Sequence, residues 1–172
     1  MKKVFLLAIL LMVCSPSNVM SQKRLTKKAD AQTEVFRYDI QAEGVGVQGT
    51  YLVKVWSYSK KSTIAAEQAM KNAVHGILYK GFAGRSGVSG KAALLNSAQE
   101  KEAFEAYSDE FFGPSGQYRL FAEQATDGQI SADDFLKVGK EYKVGLIISV
   151  KVDALRKDLE QRGIIKGLAS GF

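Results

Sequence analysis

The chain has 172 residues, 46% of them hydrophobic and 24% charged, which suits one packed domain with tails and excludes wholesale disorder. The formal net charge is +6, yet no basic stripe interleaved with aromatics occurs, so the composition gives nucleic acid no footprint.

Lys2 and Lys3 open the chain, Val4 to Val13 form an unbroken apolar run, and Ser15-Pro16-Ser17-Asn18 interrupts it. This three-part pattern predicts a secretory signal over residues 1–21, with Val19 and Ser21 suited to cleavage before Gln22. As a helix the run spans about 15 Å, half of a ~30 Å hydrocarbon core, so a permanent membrane span is disfavoured. A second reading makes Cys14 a lipid acceptor directly after the apolar run, although Val13 is bulky where Gly, Ala or Ser is usual. Cleavage before Gln22 would remove the only cysteine, and with it any disulfide. Residues 22–33 read as a polar, aperiodic lead-in carrying Lys23, Arg24, Lys27 and Lys28. Membrane contact is expected only through a lipidated Cys14 or through this basic lead-in.

A single domain is expected over residues 34–172. Phe36, Tyr38 and Ile40 alternate with Arg37, Asp39 and Gln41, the period of a half-buried strand. Gly44, Gly46 and Gly49 permit a turn into a second strand over 50–58, giving a hairpin. Ser62 or Thr63 is placed to cap a helix whose Ile64, Met70, Ala73, Val74, Ile77 and Leu78 fall on one face. Its repeated alanines, Ala65, Ala66, Ala69 and Ala73, allow close approach to a sheet. A permissive Gly-rich stretch follows from Gly81 to Gly90. Ser97 and Glu100 form a capping box for a second helix ending near Phe112, before Gly113-Pro114-Ser115-Gly116.

Residues 117–124 alternate like a third strand, with Tyr118, Leu120 and Ala122 on one face. Asp127-Gly128 marks a turn, and 131–138 is read as a short helix. The strongest strand pattern covers 141–152, with Val144, Leu146, Ile148, Val150 and Val152 on one face. Asp153 is placed to cap a last helix carrying Leu155 and Leu159, with Gly163 beyond its end. The order predicts an α+β, two-layer sandwich: an antiparallel sheet of about four strands with helices on one face.

Three segments resemble the domain shared by small outer-membrane lipoproteins and the N-terminal part of the flagellar T assembly protein. They are Glu43-Gly44-Val45-Gly46, the alanine-rich helix Ala65 to Ala73, and Tyr142-Lys143-Val144-Gly145-Leu146-Ile147-Ile148-Ser149-Val150-Lys151-Val152 before a short helix. This chain departs from that domain in carrying the Gly-rich loop and second helix between its halves. The resemblance implies a non-catalytic module of envelope assembly and carries over no site residues.

Motifs of enzyme chemistry fail on spacing. Gly84-Arg85-Ser86-Gly87-Val88-Ser89-Gly90-Lys91 has Arg85 where a P-loop needs Gly, Ala92 where it needs Ser or Thr, and a helix rather than a strand before it. An EF-hand read through Asp127-Gly128 to Asp134 puts Ala125, which has no oxygen, at a ligand position. With no cysteine after cleavage before Gln22 and His75 the only histidine, a thiol protease or structural zinc site is excluded on count, and no Gly-x-Ser-x-Gly turn supports a serine triad. No catalytic, cofactor or metal residue is therefore assigned.

Leu52, Trp56 and Tyr58 share one face of the second strand, while Tyr51, Val53 and Val55 occupy the other. A strand apolar on both sides is either covered twice or presents an aromatic patch, which makes these three residues the candidate interaction surface. The sequence reading is an exported, non-catalytic structural or protein-binding module of the cell envelope, whose partner is an envelope protein or a second copy. The alternative is an exported enzyme or small-ligand binder with Gly81–Gly90 as a lid.

Overall fold

In the computed structural model the described residues are 36–85, 87–126 and 129–167; the signal, Cys14, the lead-in and the Asp127-Gly128 turn lie outside them. Strands β1 (Tyr38–Gly44) and β2 (Tyr51–Ser59) form the expected antiparallel hairpin, and β2 continues in register along β5 (Glu141–Val150), from Tyr51 opposite Val150 to Ser59 opposite Tyr142. The alternation read from sequence sets this register: Val53 and Val55 of β2, with Val144, Leu146, Ile148 and Val150 of β5, all turn to the core.

Helix α1 (Ser62–Tyr79) crosses that core face, and Ala65, Ala69 and Ala73 are buried where it meets the strands. Small side chains let the helix come close enough for Ile64, Val74, Ile77 and Leu78 to be almost fully buried. Each such aliphatic side chain contributes about 1.5–3 kcal/mol of transfer free energy. Neither Ser62 nor Thr63 caps α1. The N-cap position is Lys61, with no side-chain bond, and Ser62 is already the first helical residue. Helix α2 (Ala98–Phe112) does carry its capping box: the Glu100 amide donates to Ser97 Oγ at 3.2 Å, and the Ser97 amide donates to Glu100 Oε2 at 2.9 Å. It buries only Phe104 and Phe111 of its own length.

Two elements differ from expectation. The third strand over 117–124 shrinks to β3 (Ala122–Gln124), because Tyr118–Phe121 is a single helical turn, α3. Its buried residues Tyr118 and Phe121 stand three apart, while Leu120 is 68% exposed, so a helical period outweighs the period-two reading. The short helix over 131–138 is instead a 3-10 turn (Ala132–Asp134) followed by strand β4 (Phe135–Val138). Gly139, with φ +62°, begins the tight turn that folds β4 back on the start of β5.

Among the described residues the sheet therefore has five strands in the order β1-β2-β5, with β3 and β4 sharing the far edge of β5. β5 stops at Val150, since Lys151 turns its amide to the Phe121 carbonyl and Val152 enters helix α4 (Val152–Gln161). Asp153 lies in the first turn of α4 rather than capping it, and its amide donates to the Gly49 carbonyl at 3.2 Å, tying α4 to the β1–β2 turn. Leu155 and Leu159 are buried, and Gly163 follows the helix as expected. The result is an α+β fold with an antiparallel sheet packed against helices on one face.

Candidate functional site

An open sheet face and an interhelical cleft each bring aromatic and charged groups together. The first is the sheet face turned away from the helices. Leu52, Trp56 and Tyr58 share it, as the alternation of β2 dictates, together with Lys54. All four are half-buried, and among the described residues no second layer covers them. Trp56 lies against Gly145 of β5, where a Cβ would stand 3.0 Å from Cε3 and Cζ3 of the indole. Glycine at 145 is what lets the ring rest on bare backbone.

Charges enclose the aromatic strip. Lys54 Nζ and Lys143 Nζ stand 5.1 and 5.0 Å from the Trp56 ring centroid, within cation–π range. Lys54 is also bound to Asp134 at 2.6 Å, with both side chains only 14% exposed. Lys143 pairs with Asp39 at 2.9 Å, and Tyr58 donates its hydroxyl to the same carboxylate at 2.7 Å. These contacts, the Tyr58 bond first, hold the Asp39 carboxyl below its ordinary range. Arg37 lies over Tyr58 and pairs with Glu141 at 3.1 Å. The apolar character continues sideways onto β4, where Leu136 sits opposite Lys143 and Val138 opposite Glu141, 43% and 54% exposed.

The second surface is a cleft of about 450 Å³ between α1 and α2, on the helix side of the molecule. Lys71, His75 and Tyr79, spaced by four on α1, form one wall; Glu105, Ser108, Asp109 and Phe112 of α2 form the other. Phe36 closes one end, its ring stacked on His75 with centroids 3.6 Å apart, and Tyr79 stacks on the opposite side at 4.6 Å. Phe36 holds φ +39°, a conformation uncommon outside glycine, and its ring contact with His75 accompanies that strain. Tyr79 donates to Glu105 Oε2 at 3.1 Å. The Asp109 side chain makes no hydrogen bond or ion pair with any described residue.

His75 lines this cleft, and its surroundings explain why it is a poor base. Its Nδ1 lies 2.6 Å from the Tyr38 hydroxyl. Burial, and then the Lys80 ammonium nearby, push the imidazole pKa down to about 3, so the ring is neutral at physiological pH. A general base works best with a pKa near the operating pH, far above this value.

Sequence reasoning missed this cleft. Its signal was the spacing of Lys71, His75 and Tyr79 along one helix, but that spacing acquires meaning only when α2 is known to lie beside it. The Gly81–Gly90 segment contributes no described residue to the lining. It is a small hairpin instead, with Phe82 bonded to Lys91 and the Ala83 carbonyl accepting from the Ala42 amide along the edge of β1. Lys91 of the P-loop-like stretch is exposed in this hairpin, and Asp134 of the EF-hand-like stretch is engaged by Lys54. No cluster of metal-ligating side chains occurs among the described residues, and none of their helices is long and apolar enough to cross a membrane. Comparison with protein-family models, with curated proteins and with solved structures gives no match.

Proposed function

We propose that this chain is an exported, non-catalytic binding module of the bacterial cell envelope, and that it holds a protein partner against the open face of its sheet. The observation that carries this reading is the half-buried strip Leu52–Trp56–Tyr58, which no second layer covers among the described residues and which exposed Leu136 and Val138 continue. Apolar groups flanked by polar ones on an otherwise charged surface are characteristic of protein contacts. The leader pattern of residues 1–21 supports export, and the resemblance to envelope-assembly domains supports the setting. The neutral, stacked state of His75 argues against this residue as a general base.

Trp56 is the only tryptophan, so its fluorescence reports on this face alone. The intact mature chain is expected to associate with itself or to retain one envelope protein, with a change in Trp56 emission on binding. Trp56→Ala and Leu136→Lys are expected to weaken that association at least about tenfold, as central aromatic and apolar contacts do, while His75→Gln leaves it intact. Association that survives both face variants would refute the reading, and mass spectrometry showing an uncleaved Met1 in the cell would refute export.

A further inference from the structure

We propose that the cleft between α1 and α2 is a binding site for an alkylammonium group, a primary amine carried on a short apolar stem. Its volume of about 450 Å³ lies within the range of small-ligand sites. The inference is independent of the partner surface, since the cleft lies on the other side of the sheet.

The lining selects the charge of the ligand. One ammonium, Lys71, faces two carboxylates, Glu105 and Asp109, and neutral His75 adds no positive charge. The Lys71 Nζ is drawn to the Tyr118 ring, 5.7 Å from its centroid, and Tyr118 is not a lining residue. Glu105 accepts the Tyr79 hydroxyl, whereas Asp109 is unengaged among the described residues. Asp109 follows Glu105 by four residues, so the two carboxylates stand on successive turns of the same helix face. An entering cation meets one free carboxylate and a second with spare acceptor capacity. Among the lining residues an entering anion meets two carboxylates and one ammonium, which already lies near the Tyr118 ring, while the Lys80 ammonium near His75 lies over the Tyr38 ring at 4.1 Å.

The lining also selects the body of the ligand. Phe36, His75 and Tyr79 make a stacked wall, and Phe112 meets Phe36 edge-on at 5.5 Å and His75 at 6.0 Å. The stacked rings cover one another's faces and offer the cleft an apolar surface on which methylene groups pack, so a stem of a few carbons lies along this wall with its ammonium directed to Asp109. Gly113 and Pro114 form the adjoining rim. A free linear diamine and a lysine side chain of a partner peptide both present this chemistry.

The test is a titration of the intact mature chain, followed by amide proton–nitrogen correlation spectra, with cadaverine, with Nα-acetyl-lysine methylamide and with n-pentanol as the uncharged control. Both amines are expected to give saturable shifts around His75 and along Glu105 to Phe112, with Trp56 emission unchanged. Tighter binding of cadaverine assigns the site to free diamines, and tighter binding of the lysine compound assigns it to peptide side chains. Asp109→Asn, an exposed and unpaired position whose replacement leaves the fold intact, is expected to weaken either amine about tenfold through loss of a charge-assisted hydrogen bond. Phe36→Ala is expected to weaken both amines as well, through loss of an aromatic contact. Pentanol binding as tight as the amines, amine binding unaltered by Asp109→Asn, or the absence of saturable shifts would each overturn the proposal.

Discussion

The open sheet face and the α1–α2 cleft are made of the same materials, aromatic rings beside charged groups, and differ in whether those charges are already answered. On the sheet face Lys54, Lys143 and Arg37 each have both a carboxylate and a ring, so the strip is closed on itself. In the cleft the rings are stacked upon one another and Asp109 has no described partner. The first arrangement suits a broad contact in which apolar area dominates, since its charges keep their partners when covered. The second suits a small charged ligand, because an unanswered carboxylate in a concavity gains most from a new partner. Charge content alone would not have distinguished them.

The largest expected effect lies behind the cleft. Phe104 is fully buried and meets Tyr79, Tyr107, Phe111 and Phe112 edge-on, so it anchors α2 and with it one cleft wall. Phe104→Ala is expected to cost about 3–5 kcal/mol in urea unfolding, and to abolish amine binding in the protein that remains folded. A loss below about 1 kcal/mol would mean that α2 is held in some other way.

A second test uses the pH dependence of His75. Its pKa falls from the ordinary 6.5 of histidine to about 3 in the fold, so the unfolded chain binds the extra proton first as pH drops. Stability from keeping this ring neutral is fully present above pH 6.5 and is lost as pH falls towards 3. Between neutrality and pH 4 the loss is of order 3 kcal/mol. His75→Gln, unfolded in urea across the same range, is expected to show a shallower slope; an unchanged slope would remove His75 from the account. The sheet face should not register this titration before global unfolding, which Trp56 emission checks.

The smallest effect sharpens the other side of the comparison. Gly145→Val places carbon where the Trp56 ring lies and is expected to cost about 1–3 kcal/mol by overpacking, with a shift of Trp56 emission. Amine binding in the cleft should be unaltered. Coupled changes at both sites would mean that the two faces are not independent.

Much of the architecture was legible because it rests on local periodicity. The alternation of β2 and β5 set which residues face the helices, and Ser97 with Glu100 marked the start of α2 to the residue. The errors fell where two short signals competed. Tyr118 and Leu120 alternate, but Tyr118 and Phe121 are the pair the core buries. Asp133-Asp134 resembles a helix start, but the Gly139 turn returns the chain to β5 and makes 135–138 a strand. Within α1, Gln68, Lys71 and Asn72 are buried as well as the apolar stripe, and Asn72 donates to Ser57 Oγ at 2.8 Å. An amphipathic reading expects polar residues outside, and misses a helix flanked by other elements on several sides.

The amino-acid order by itself determined the strand faces, the two long helices, the packing of a helix against the sheet, and the placing of Leu52, Trp56 and Tyr58 on one surface. Those features follow from periods of 2 and 3.6 residues, which a linear chain displays openly. Only the tertiary structure decided that Gly145 passes beneath Trp56, that both edges of β5 are occupied, and that Lys71, His75 and Tyr79 face Glu105 and Asp109 across a cleft. Those relations join residues tens of positions apart, and their positions are set by the folded sheet rather than by spacing along the chain.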